Sequence, residues 1–444
     1  MSEPSMQPAS RRTPHADARI IVIGAGVAGL VVARDLARSG VRVTVIEASD
    51  RIGGQLAAIR IGGVEVDAAA ESFATRGGGV QALVSELGMS ADIVRPRESP
   101  AWVIGRRGRA HPLPASSVLG IPGDPRAHDV VRAVGMLAAW RARLDAIMPL
   151  RHPDSYRTVD DLVRRRMGAG ILRHLVAPVV RGVYSTTPNA LPLERASPGM
   201  RQALRESGSL GAAVKRLRAA SPAGSQVAGI RGGVHRLATA LEADARAAGA
   251  EILLGRRVTR FDSDGVWLQS GDRLDGRVVS AAAEVAGAGV RTRTITVATA
   301  IVDAGGLDDA PRGTGALVEE RADGITARAF THSSAKWQWL ADELPAHRHA
   351  VRLSYDEMPD DPEATVSADL QAIAGVRIER LVAIDLRTWT RTLEASPLAS
   401  GQDVVGEAAS VTGLATIIPA ARATAARITT ERISTGMNAT GAEG

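Results

Sequence analysis

The residues with the most definite chemistry stand near the start of the chain. Gly24-Ala25-Gly26-Val27-Ala28-Gly29 carries glycine at the first, third and sixth positions, the spacing G-x-G-x-x-G. The first glycine allows a tight turn, the second lets backbone approach a diphosphate, and the third lets a helix lie close on a strand. Further along, Glu47 supplies a carboxylate that can accept hydrogen bonds from ribose hydroxyls and would repel a 2′-phosphate, which disfavours NADP. The chemistry is therefore the gripping of a nucleotide diphosphate.

Such a turn works only between the right elements. Ile20-Ile21-Val22-Ile23 is an apolar run that predicts a strand, Leu30–Arg38 reads as a helix, and Val41–Ile46 predicts a second strand ending on the acid. This is a complete βαβ unit, with the helix N-terminus presenting free N–H groups and the positive end of its dipole to phosphate. After Ala48, Arg51-Ile52-Gly53-Gly54-Gln55 adds a second glycine turn. A longer cofactor, FAD rather than NAD, would use that extra backbone for its pyrophosphate and ribityl chain. The extension resembles that of flavoproteins of the amine-oxidase and porphyrinogen-oxidase superfamily.

The composition bounds the rest. A chain of 444 residues is enough for two well-packed domains, and 45% hydrophobic with 23% charged residues is ordinary for a soluble globular protein. The absence of cysteine excludes disulfides, thiolate metal sites and thiol nucleophiles. The net charge of +6 is carried by arginine, Lys215 and Lys336 being the only lysines. That bias fits GC-rich codon usage, and also an acidic ligand, since arginine pairs bidentately with carboxylates. Nucleic acid is not an expected partner: the arginines are scattered and aromatics make up only 3%. No metal site and no Ser-His-Asp arrangement can be assembled from the nine histidines; His347 and His349 read as part of a solvated loop. Residues 1–18 read as a disordered arm whose Arg11-Arg12 lacks the apolar stretch of an export signal. Ile20–Ala33 is too short and glycine-rich to span a membrane. A cytoplasmic protein is expected, with peripheral membrane contact left open.

Along the chain, Ile59–Asp67 predicts a hairpin turning at Gly62-Gly63, residues 78–88 a helix, and 101–114 a second hairpin turning at Arg106-Arg107-Gly108. Residues 124–218 read as mostly helical. Short strands follow at Glu251–Leu254, Val258–Phe261, Val266–Gln269 and Arg277–Ser280, and 294–303 and 349–355 read as strands of a second sheet. The fold class is α/β: a Rossmann-like FAD-binding domain interleaved with a substrate domain of mixed sheet plus a helical insertion. The cofactor domain is expected from 19–95, 222–290 and 396–432, the substrate domain from 96–221 and 291–395, and a frayed tail from 433–444.

These residues together resemble the bacterial porphyrinogen oxidases, oxygen-dependent FAD enzymes of haem synthesis. The resemblance rests on Gly24–Gly29, Glu47, Arg51–Gly54 and the turn Val66–Phe73. It also rests on His111-Pro112-Leu113-Pro114 with Gly120-Ile121-Pro122, on Val179–Tyr184, on Thr331–Trp337 and on Val404–Ala409. It implies that a porphyrinogen loses six electrons in three two-electron steps. Each passes a hydride from a macrocycle carbon to the flavin N5, with molecular oxygen reduced to hydrogen peroxide, and no catalytic side chain is required. Coproporphyrinogen III is the implied substrate, its four propionates suiting an arginine-rich protein; protoporphyrinogen IX is the alternative. Carried onto this sequence, the resemblance puts Gly24 to Gly29 on pyrophosphate, Glu47 and Ala48 at ribose, and Arg51, Gly54 and Gln55 along the extended cofactor. Ala69, Ala70, Glu71 and Ser72 would lie near the isoalloxazine, with Trp389 beside it and Val258 at adenine. Gly406 and Glu407 would meet the ribityl–pyrophosphate region, Thr412, Gly413 and Leu414 would cap the ring, and Lys336 and Trp337 would face substrate. The chain departs from the family at Pro419, which falls inside 415–428 and should kink or delay the last helix, and in having only three Phe and three Tyr. An amine oxidase, a carotenoid desaturase and a non-catalytic flavin- or porphyrin-binding paralogue are the competing readings.

Overall fold

The computed structural model of the chain describes residues 19–440 apart from 151, 185, 221–226, 283–289, 321, 358–359, 396–401 and 410. The arm expected over 1–18 lies outside the described residues.

Ile20–Ile23 is the middle strand of a five-stranded parallel sheet. The strand order is Glu251–Leu253, Val43–Ile46, Ile20–Ile23, Arg277–Ser280 and Asp403–Val404. A central parallel strand is covered on both faces, which is why its sequence is apolar without alternation. Ile20 and Val22 face the helical side, where the fingerprint helix Val27–Arg38 packs with Arg236–Ala247 and the final helix Leu414–Thr440. Ile21 and Ile23 face a small antiparallel sheet formed by Val258–Phe261, Gly265–Leu268 and Arg273–Asp275. The Rossmann-like layer is thus assembled from three separate stretches of sequence.

The second sheet has seven strands, ordered Arg380–Ala395, Val290–Asp303, Arg348–Tyr355, Ala329–His332, Gly315–Val318, Trp102–Ile104 and Ala110–Pro112. Its pairings are antiparallel except that Gly315–Val318 runs parallel to Trp102–Ile104, so the sheet is mixed. The helix Pro362–Ala374, capped by the Asp361 carboxylate on the Ala364 N–H, covers its apolar face. The hairpin Ala58–Asp67 turns at Gly62 and Gly63, both at positive φ, and packs on the sheet through Ile301 and Trp337.

Between the sheets' segments, helices from His128 to Ala220 enclose their own apolar core. Arg166 is fully buried there; its Nε donates to Asp145 Oδ1 at 2.6 Å, and Asp145 also accepts the Leu210 and Gly211 N–H groups. Leu172–Val176 takes a π-helical turn. Pro178, two residues beyond it, cannot donate to the His174 carbonyl, and its ring crowds that turn.

Three expectations change. The last helix starts at Leu414 and is not delayed by Pro419, because Gly79 leaves a gap for the ring: a Cβ there would lie 2.9 Å from Pro419 Cγ. The helix also continues to Thr440, past the point where the chain was expected to fray. His349 lies buried in the strand Arg348–Tyr355 rather than in a solvated loop, bonded to His332 at 3.1 Å and to Asp308 at 3.0 Å.

Candidate functional site

The carboxyl ends of the parallel strands open onto a cavity of about 730 Å³, the position where ligands bind in open α/β sheets. Its floor is the glycine turn. Gly24 has φ +97°, and its N–H donates to the Ile46 carbonyl at 2.8 Å. A Cβ on Gly29 would stand 2.0 Å from the Gly24 oxygen, so only glycine lets this helix come so near the strand. A Cβ on Gly26 would meet no protein atom within 4 Å; it would project into the cavity where a diphosphate needs room. Gly26 caps the helix with no side-chain bond, and the first turn holds no acidic residue. The N-terminal N–H groups are therefore left for an anion.

Glu47 is held in a defined pose. One oxygen accepts the Ala25 N–H at 2.7 Å, and the other accepts the Ser49 N–H at 2.9 Å and hydroxyl at 2.8 Å. A carboxylate has about four acceptor positions, so capacity remains for hydroxyl donors. Gly53 and Gly54, at φ +94° and +58°, form the second turn, which docks onto the first through Gly53 N–H to Ala25 O at 2.8 Å. From the far end of the chain, Gly406 closes on the fingerprint helix; its Cβ would stand 2.8 Å from that of Ala28. Gln55 Nε2 donates to Glu407 Oε1 at 2.9 Å, tying the second turn to that C-terminal segment.

Of the residues singled out in the sequence, Gly24, Gly26, Val27, Ala28, Glu47, Ala48, Gly54, Gln55, Ala70, Ser72, Val258, Gly406, Glu407, Gly413 and Leu414 line this cavity. Ala25 and Gly29 sit beneath it, buried against Glu47 and the strand. Arg51 is exposed and donates to the loop carbonyls of Ile52 and Gly54 rather than facing the cavity. Thr412 lies outside the wall, its hydroxyl accepting from Arg195. Trp389 also lies outside. Alternation along its strand turns it toward the hairpin cluster, while its neighbour Thr390 faces the cavity. Trp337 is buried in the same cluster, against Gly229.

Ala69, Glu71 and Lys336 form a polar junction beside the cavity instead of a wall. Lys336 Nζ donates to Glu71 Oε1 at 2.6 Å, the Ser333 hydroxyl to Oε2 at 2.8 Å, and Arg352 Nη1 stands 3.5 Å from Oε2 while its Nη2 donates to the Ala69 carbonyl. Burial by itself pushes the Glu71 carboxyl up; Lys336 and Arg352 outweigh it and hold the group at about 2. The Lys336 ammonium is thereby committed to a carboxylate.

Gly53, quoted in the sequence as part of the second glycine turn, is also in the wall, and sequence reasoning gave no cofactor role to Leu56, Val183, Arg256, Arg257, Ala281, Ala282, Thr292, Thr390 and Ile417 there. Arg256 and Arg257 directly precede Val258, and a paired cation beside a nucleotide-facing strand was a signal that could have been used. Among the described residues, the only ionisable groups of the wall are Glu47, Arg256, Arg257 and Glu407, and it contains no aromatic residue. No group of three or more His, Asp or Glu residues suited to a metal ion occurs among the described residues. The cradle, the free helix terminus and the poised carboxylate fit a dinucleotide, and the second glycine turn and the C-terminal segment Gly406–Leu414 extend the wall beyond the first nucleotide's share, as FAD requires.

Comparison with known proteins agrees with this geometry. The model of the family described as flavin containing amine oxidoreductase matches residues 27–292. A coproporphyrinogen III oxidase of Propionibacterium freudenreichii is 29% identical over 304 residues, 61% of this chain and 57% of that protein. One from Mycobacterium bovis is 28% identical over 405 residues, 85% of this chain and 86% of its relative. A solved structure of a protein from Exiguobacterium sp. 255-15 superposes with a TM-score of 0.79 at 21% identity, covering 93% of this chain and 99% of the other, which speaks to the fold. With its fingerprint built into the sheet, its cavity at the strand ends and its family model matched over more than half the chain, the protein belongs to the flavin containing amine oxidoreductase family and its cofactor is FAD.

Proposed function

We propose that the protein is a porphyrinogen oxidase that converts coproporphyrinogen III to coproporphyrin III, with molecular oxygen as electron acceptor. The observation that carries the reading is the similarity to coproporphyrinogen III oxidases over 85% of the chain. The chemistry of the cavity supports it. Six electrons and six protons leave the macrocycle in three two-electron oxidations, and three molecules of oxygen become three of hydrogen peroxide. When bound, FAD supplies the hydride acceptance and the reaction with oxygen.

The chain's own part is binding and orientation. Gly24, Gly26 and the N-terminal turn of the helix Val27–Arg38 take the diphosphate, and Glu47 takes the ribose. Gly53, Gly54, Gln55, Gly406 and Glu407 embrace the remaining length of the cofactor. Ala70, Val183, Leu414 and Ile417 add apolar side chains to the cavity lining. No free acid or base in that wall is needed, because hydride removal from carbon asks for none there. An aromatic-free wall weighs against an amine oxidase that grips its substrate between rings, and the pairing of Lys336 with Glu71 occupies the one lysine near the cavity.

The test uses purified flavin-loaded protein. Coproporphyrinogen III should bleach the flavin absorbance without oxygen, and on admitting oxygen should give porphyrin fluorescence with peroxide. Protoporphyrinogen IX should react more slowly. A yellow protein inert toward both porphyrinogens overturns the proposal, and faster turnover of protoporphyrinogen IX overturns the choice of substrate.

A further inference from the structure

The cavity opens to solvent beside the start of the last helix, and arginines edge the opening. Val183 belongs to the wall although it is 57% exposed, and Gly413, another wall residue, is exposed as well. Val183 stands on the helix Ala177–Tyr184, which lies tight on the second sheet at Gly182, where a Cβ would run into the Leu317 side chain. Leu414 and Ile417, at the start of the last helix, complete this apolar part of the wall. The wall's two carboxylates are engaged elsewhere, Glu47 with Ala25 and Ser49, and Glu407 with Gln55.

Two arginines from distant segments converge here. Arg76, in the turn after the strand Phe73–Ala74, donates to the Thr416 hydroxyl at 3.3 Å. Arg195, on the short helix Leu193–Ala196, donates to the Thr412 hydroxyl at 3.3 Å. Thr412 and Thr416 bracket the wall residues Gly413 and Leu414. Burial pushes the Tyr184 hydroxyl up, and the charges of Arg76 and Arg195 both oppose it, so both stand near the residue that follows Val183. Each arginine is exposed. Among the described residues Arg76 spends one of its five donors on the Thr416 bond. A hydroxyl is a weak neutral acceptor for a guanidinium, and a carboxylate fills its planar fork with two charge-assisted bonds. Exposed valine beside two such forks suits a guest with an apolar body and carboxylate tails; a small inorganic anion would leave Val183 unused.

We propose that Arg76 and Arg195 form a carboxylate-gripping rim at the opening of the cavity, taking propionate groups of the porphyrinogen while Val183, Leu414 and Ile417 meet the apolar edge of its ring. The assignment rests on the reading of the cavity as a porphyrinogen site and adds to it the groups that hold the charged margin of the guest. The two arginines bind and orient; they take no part in hydride transfer.

The experiment is fluorescence titration of the flavin-loaded protein with coproporphyrin III and with its tetramethyl ester, which keeps the ring and removes the charges. Wild-type protein should bind the acid more tightly than the ester, and less so as salt is raised. Exposed pairs of this kind are worth about threefold each, so Arg76→Gln/Arg195→Gln should weaken the acid about tenfold and leave the ester unchanged. A control, Arg106→Gln/Arg107→Gln, removes the same charge from an exposed turn of the second sheet and should hold the acid within about twofold of wild type. In turnover of coproporphyrinogen III the rim variant should raise KM with kcat nearly unchanged. Unchanged flavin absorbance and melting temperature confirm that the variants fold. Wild-type protein that does not bind the acid, a rim variant that binds it as tightly, or an equal loss in the control overturns the proposal. So does loss of FAD from the rim variant, which would assign the arginines to the cofactor. Arginine-dependent binding of coproporphyrin III by a protein that oxidises neither porphyrinogen would overturn the proposed reaction and support the rim.

Discussion

Replacing Lys336 with methionine keeps most of the side chain's length and removes the charge that the interior depends on. Glu71 is bonded at 2.6 Å to Lys336 and at 2.8 Å to Ser333, with Arg352 at 3.5 Å. Burial pushes its carboxyl up, and the two cations bring it from 4.5 down to about 2. At ~1.4 kcal/mol per tenfold, that difference corresponds to about 3 kcal/mol of folding free energy. The folded-state value lies below the unfolded one, so this stabilisation is full above pH 4.5 and is lost as the pH falls toward 2. Without Lys336, the remaining Arg352 and Ser333 oppose burial less well, and the carboxyl rises. Stability is then no longer gained as the pH climbs. The cost of Lys336→Met should be about 2–3 kcal/mol at neutral pH and shrink toward about pH 3. Denaturant unfolding of the flavin-loaded protein at several pH values measures it, alongside Glu71→Gln/Lys336→Met. The double variant should recover part of the loss, because the Glu71 charge is removed together with its cation, while Arg352 keeps its bond to the Ala69 carbonyl. A loss independent of pH, or a double variant no better than the single, would refute the electrostatic account and leave Lys336 as a packing residue.

Further expectations follow from the same geometry. Gly29→Ala places a Cβ 2.0 Å from the Gly24 oxygen, so strand and helix must part; a cost of about 3 kcal/mol or more and protein purified without its yellow colour are expected, read by flavin absorbance. Glu47→Gln replaces one of the two acceptor oxygens with a donor facing the Ala25 or Ser49 N–H. FAD affinity should fall by about 10- to 100-fold in a titration of stripped protein, and an unchanged affinity would make Glu47 a purely structural cap. Arg166→Met leaves Asp145 buried without its cation. Stability should drop by about 3–5 kcal/mol in denaturant unfolding, and circular dichroism should locate the loss in the helical region.

The cofactor turn was legible because its determinants are local. Strand, turn, helix, second strand and Glu47 follow one another within one continuous stretch, and Gly29 answers to the Gly24 oxygen within the same turn. The apolar strand Ile20–Ile23 also announced its burial on two faces. Other elements were harder to read. Arg380–Ala395, the longest strand of the second sheet, was not anticipated, since its mixture of Arg, Thr and apolar residues shows no clean alternation. The resemblance puts Trp389 beside the cofactor, whereas Thr390 is the one that faces the cavity. Which face of a strand looks inward depends on the sheet that covers it.

By itself, the order of residue types determined that a diphosphate-binding βαβ unit would form and that its carboxylate would stand at the strand end. It also determined that a long helical stretch and a second sheet would be built around the unit. These follow from short-range sterics and from hydrophobic periodicity, which a linear chain displays. Only the tertiary structure decided that Lys336 would be spent on Glu71, that Gln55 would meet Glu407, that Gly79 would make room for Pro419, and that Arg76 and Arg195 would converge on the start of the last helix. Each of these is a contact between segments far apart in the chain. Such outcomes depend on how whole layers dock, and the residues involved carry no local sign of their partners.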